Sequence, residues 1–165
     1  MGFSALGLAL SLALLLPSLL LIRYPPDPAL PDVAIPPALA LLERAGQALC
    51  MTVPALTTGA GVRWGWAVPV FACASAYWGL WGRYFACRRS PAALFGPVWG
   101  IPVPMALLPV AAFLTGSAWL MNPWMLIATC VLAAGHIPAS LIIWRAVRSL
   151  PAADEGSRPQ AGPAA

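Results

Sequence analysis

Lysine is absent from this chain, histidine occurs once, and five acidic residues stand against nine arginines in 165 positions. Charged side chains make up 8% of the residues, where a soluble domain carries roughly a quarter. A water-soluble core of this length needs a charged shell, so water is excluded as the solvent for most of the chain. Motifs are missing as well: there is no P-loop, GxGxxG, HExxH or GxSxG, and one histidine with five acids leaves little material for a metal site or an acid/base pair. No catalytic residue, metal or cofactor is therefore assigned. Cys50, Cys73, Cys87 and Cys130 show no CxxC or Cys/His spacing, which argues against a zinc site or a disulfide framework and for packing residues. The net charge of +4 is read as topology information rather than as a nucleic-acid surface.

What is present is hydrophobic: 61% of the residues, in long uncharged runs. Gly2 to Ile22 carries no charge, and a helix of that length reaches about 30 Å, the thickness of the hydrocarbon layer. It lacks a basic leader and a small-x-small cleavage site, so it reads as a retained anchor. The following RYPPDPALPDVAIPP is too rich in proline for helix and reads as a stiff loop. A second span is expected over 38–59, with Glu43, Arg44 and Gln47 in its first turns, and a third over 64–85, ending in Arg83, Arg88 and Arg89. Ser90 to Trp144 has no formal charge and as one helix would reach about 80 Å, so it must fold back. GSAWLMNP, Gly116 to Pro123, supplies the break, giving spans over 96–115 and 123–144. The expected class is all-α: one transmembrane domain over 1–150 with five spans, then a disordered cytoplasmic tail over 151–165.

Arginine position sets orientation. With five spans and the N-terminus outside, Arg23, Arg44, Arg83, Arg88, Arg89, Arg145 and Arg148 fall inside and Arg63 alone outside. If the second segment lay on the surface, a four-span chain would put Arg23, Arg44 and Arg63 outside, a weaker bias. Tryptophans fit the first arrangement: Trp64, Trp66, Trp119 and Trp124 toward the outer interface, Trp78, Trp81, Trp99 and Trp144 toward the inner.

Six polar residues are candidates for binding or a polar core: Glu43, Gln47, Ser75, Arg83, His136 and Ser140. Glu43, Gln47, Cys50, Pro54, Thr57 and Thr58 share one helical face, which suits either a hydrophilic pocket or plain interhelical hydrogen bonds. On the third span Ala72, Ser75, Ala76, Gly79 and Gly82 form a small-residue face, expected to pack against another helix. Arg83 is expected at the depth of Glu43 and is paired with it. His136 lies about 13 Å inside the membrane, counted from Arg145. It is open to two readings: a proton relay or ligand contact, or a neutral imidazole bonded to Ser75 or to the Ala134 carbonyl that Pro138 frees, with Ser140 one turn on. Prolines at 97, 102, 104 and 109 bend or break the fourth span and make its Gly96–Gly100 GxxxG a poor dimer signal.

LERAGQALCMTVP (Leu42 to Pro54), FGPVWGIPVPMALLPVAAFLTG (Phe95 to Gly116) and GHIPASL (Gly135 to Leu141), in that order and spacing, resemble a family of small, uncharacterised multi-pass membrane proteins of bacteria. The resemblance implies a helical bundle in a bacterial cell membrane and carries no activity and no functional residue. The reading is a non-enzymatic binding or accessory membrane protein with the bilayer, a membrane-protein partner or a second copy as its partners. A small-solute or proton-coupled carrier acting as a homo-oligomer is the alternative.

Overall fold

The computed structural model describes Gly2 to Ser149; the expected tail over 151–165 lies outside the described residues. Among the described residues there are six α-helices: α1 Ala5–Arg23, α2 Pro37–Leu56, α3 Ala67–Ala86, preceded by a 3-10 turn at Trp64–Trp66, α4 Pro91–Phe95, α5 Pro104–Trp119 and α6 Pro123–Ser149. Among the described residues the only β pairing is an isolated bridge between Val98 and Ile101. Four helices, α2, α4, α5 and α6, begin on a proline. At that position the missing N–H costs nothing and the fixed φ already suits the helix.

The five long helices alternate in direction between two ends. α1 and α2 are antiparallel, with the Ser4 N–H on the Ala55 carbonyl at 2.9 Å and the Ser11 hydroxyl on the Cys50 carbonyl at 2.7 Å. α2 and α6 run antiparallel along the most extensive helix pairing in the bundle. Their seam opens at Asn122, whose Nδ2 donates to the Thr57 hydroxyl at 2.7 Å and whose Oδ1 caps α6 through the N–H groups of Trp124 and Met125. It closes where Gly46 meets Leu132 and Gly135 meets Glu43. A Cβ at either glycine would fall inside the opposing backbone, so neither position has room for a side chain. α3 packs on α5, and α5 on α6.

Prolines within the helices add cross-links. Pro17 has no N–H for the Ala13 carbonyl, and the Trp78 indole donates to that oxygen at 3.0 Å. Pro54 frees the Cys50 carbonyl, the oxygen that Ser11 reaches from α1. Each is a helix defect in one strand of the bundle repaired by a donor from its neighbour.

Charge is segregated by this alternation. Arg23, Arg44, Arg83, Arg88, Arg89, Arg145 and Arg148 belong to helix ends and loops of one end, together with Asp27, Asp32 and Glu43. The other end, formed by the N-terminus, the 57–66 connection and the 120–122 turn, has Arg63 as its only formally charged side chain among the described residues. Two helices, α1 and α6, are long and apolar enough to cross a membrane by length and composition.

Three expectations are corrected. The fourth span is not helical over 96–115: α5 starts at Pro104 and runs on to Trp119, and α4 precedes it. Pro102 and Pro104 bar Ile101 and Val103 from helical geometry, and Trp99, Gly100 and Val103 all take positive φ. The small-residue face of α3 is not its packing face. Ala72, Ser75, Ala76, Gly79 and Gly82 are exposed, and α3 instead buries Val70, Tyr77, Leu80, Trp81 and Tyr84. The large rings cover more area, and the two tyrosine hydroxyls find Ser18 Oγ at 3.2 Å and the Tyr24 carbonyl at 2.9 Å. Trp78, finally, reaches the middle of α1 rather than an interface.

Candidate functional site

The α2–α6 seam brings together an acid from the first half of α2 and the single histidine of the chain, from the middle of α6. Gly46 and Gly135 let the backbones touch, and on that crossing Glu43 of α2 and His136 of α6 face each other, with Oε1 and Nδ1 2.7 Å apart. Their side chains are 24% and 23% exposed, so water screens the pair only in part. One proton lies between them, donated from Nδ1 to the carboxylate when the imidazole is neutral. That bond fixes which ring nitrogen carries the proton and leaves Nε2 free for another partner.

His136 also lines a half-open pocket of about 90 Å³ with Ser18, Tyr77, Trp81, Ser140 and the apolar Leu21, Leu94, Phe95, Val103, Met105 and Ala106. A smaller void of about 20 Å³ shares Ser18, Tyr77 and His136 and adds Gln47 and Pro109. The polar atoms of both spaces form one patch: the Ser18–Tyr77 hydroxyl pair, the imidazole, Ser140 and the Trp81 indole N–H. Trp81 is 3% exposed, and its Nε1, close to the Tyr77 hydroxyl, makes no hydrogen bond of full geometry. A buried donor whose bond is poorly formed costs free energy that a bound water or ligand oxygen would recover. The larger space admits several waters or a ligand of a few heavy atoms.

Of the six candidates from the sequence, four converge here: Glu43, His136 and Ser140 around the seam, and Gln47 on the smaller void. Two do not. Ser75 is exposed on α3, so the expected Ser75–His136 contact is not formed. Nor is the expected Glu43–Arg83 pair: Glu43 is taken by His136, and the Arg83 guanidinium makes no hydrogen bond or salt bridge among the described residues. The reason is helix order in space. α2 sits against α6 and α1, whereas Arg83 faces outward over the α3–α5 groove.

Sequence reasoning missed Ser18, Tyr77 and Trp81 as site residues, and Asn122 as the lock at the far end of the seam. Ser18 and Tyr77 carried no separate signal, being single polar groups in apolar runs. Asn122 did carry one, since asparagine immediately before a helix-starting proline is a cap pattern. Among the described residues no group of three or more His, Cys, Asp and Glu side chains gathers to hold a metal ion. Comparison of the chain with protein-family models, curated proteins and solved structures gives no match.

Proposed function

We propose that the chain is a five-span protein of the bacterial cell membrane, N-terminus outside and C-terminus in the cytoplasm, serving as a non-enzymatic binding or accessory protein. Its own site is the cavity beside Glu43 and His136. The observation that carries the binding reading is the 2.7 Å Glu43–His136 bond at the wall of a half-open, mostly apolar pocket that the Trp81 indole also lines. Ligand sites have this make-up: apolar walls and a few placed polar groups.

Membrane placement draws on different support. Only 28% and 33% of the most apolar stretches of α1 and α6 are buried, whereas an apolar core helix of a soluble domain would be covered. Leu16, Leu19, Ile22, Ile127 and Leu126 point outward instead. α1 is bonded into the bundle through Ser4, Ser11, Ala13 and Ser18, which suits a span packed on its neighbours. α2, α3 and α5 run between the same two ends as α1 and α6, completing the five, and the seven-to-one arginine distribution orients them. α5 reaches about 24 Å, and the loop from Gly96 to Val103 occupies the remaining depth at the charged end.

Native mass spectrometry of the full chain, extracted gently from its own membrane, tests the binding reading. A retained small molecule lost in Trp81→Phe, or a stoichiometric second protein, supports it. A bare chain in both membrane extracts and reconstituted vesicles removes it. The Glu43–His136 proton also favours a second reading, a proton-coupled carrier acting as a homo-oligomer. That reading requires proteoliposomes loaded with a pH-sensitive dye to show proton flux that His136→Ala abolishes; equal flux in the variant ends it.

A further inference from the structure

The small-residue face of α3 is open, but it is not featureless. With α5 and the 96–103 loop it forms a groove of about 560 Å³ whose floor is Ala76, Gly79 and Ala111 and whose walls are Leu80, Leu107 and Leu108. Arg83 lies at its charged end. Every other cation there has a competing contact or open water: Arg89 faces Asp27 at 3.8 Å, Arg23 lies over Tyr24 at 5.2 Å and Arg148 over Trp144 at 5.7 Å. Arg83 has none, and its Nη1 is buried against the groove without a partner. Trp99, 92% exposed, stands on the rim at the same end.

We propose that this groove binds one anionic phospholipid, its phosphate on Arg83 and one acyl chain along Ala76 and Gly79; the inference rests on the membrane placement proposed above. The shape and the charge agree on this occupant. The floor extends about 10 Å from Arg83 to Ala76, down from the charged end toward the bundle centre. It is narrow and apolar, as a hydrocarbon chain requires, while a guanidinium without an acid partner calls for phosphate oxygens, which it engages as a fork. Trp99 stands at the level where indole rings meet headgroups, and its projection obstructs the flat approach that a second helix would need.

The test uses the full chain in detergent, titrated with dioleoyl phosphatidylglycerol or dioleoyl phosphatidylcholine and read by native mass spectrometry. Both lipids offer a phosphate to Arg83, but the choline cation beside it opposes the guanidinium, so one phosphatidylglycerol is expected to bind about tenfold tighter than phosphatidylcholine. Arg83→Gln should bring that ratio close to one and Arg83→Lys should keep most of it. Gly79→Leu should remove the lipid whatever its headgroup. A Cβ at Gly79 meets nothing within 4 Å, so this variant keeps the fold while filling the groove. An undiminished preference in Arg83→Gln overturns the site, as does a dimer that Gly79→Leu dissociates, which would make the face a contact between copies. Washing membranes with alkaline carbonate separates the two levels. Release of the chain defeats the membrane reading itself, while retention together with indifference to Arg83→Gln defeats the lipid site alone.

Discussion

Two pairs of glycines in this bundle look alike in sequence and differ in what surrounds them. Gly46 and Gly135 lie against opposing backbone with no space for a methyl group, and Gly79 and Gly82 face open space. The first pair lets α2 and α6 close tightly enough to set Glu43 against His136; the second leaves a floor beside Arg83. A small residue on an apolar helix therefore leaves room for a close approach, and its neighbours decide whether another helix fills it. Beside Gly46 stand Glu43 and Cys50, groups that gain from a partner helix. On α3 the neighbours are Tyr77, Trp81 and Tyr84, which pull the opposite face into the core.

The sharpest way to break the contrast is Gly46→Leu or Gly135→Leu. The obstacle is backbone, which cannot rotate away, so a loss above about 3 kcal/mol and an unfolded or aggregated chain on size-exclusion chromatography are expected. Asn122→Ala removes the Thr57 contacts and the α6 cap at once, and a loss of about 1–3 kcal/mol is expected from thermal unfolding in detergent. Glu43→Gln and His136→Ala should each cost about 0.6–2 kcal/mol, and the double variant should lose less than the sum because the two share one bond. At the small end, Gly79→Leu and Gly82→Leu should leave stability within about 0.5 kcal/mol of the parent, since neither side chain meets resistance.

The sequence carried much of the architecture and less of the site. Prolines at 37, 104 and 123 mark where helices begin, and the Gly116–Pro123 segment contains the reversal seen at 120–122, although α5 uses Gly116 and Trp119 before it stops. Glu43 and His136 stand out separately as costly groups in apolar runs, and Ser140 and Gln47 lie with them. Their pairing is hidden because it joins residues 93 positions apart, on helices that are not consecutive. Matching by depth alone set Glu43 against Arg83, the cation on the next helix in the chain. A better signal was present: Gly46 follows Glu43 at helical spacing and Gly135 adjoins His136, so each ionisable group sits beside a gap that a backbone can enter. The carbonyls freed by proline tell a similar story. The principle was sound, but the oxygens with visible donors belong to Pro17 and Pro54, and the imidazole near Pro138 bonds elsewhere.

The alternation of five helices between an arginine-rich end and an end with Arg63 alone underlies the proposed function, and cysteine labelling tests it most directly. In a full chain with its four native cysteines replaced by alanine, Asp32→Cys reports on the α1–α2 loop and Gly61→Cys on the α2–α3 connection. A membrane-impermeant maleimide applied to intact cells should label position 61 and reach position 32 only after permeabilisation. Equal labelling of both positions in intact cells would put the two connections on one side of the membrane and contradict the five-span arrangement.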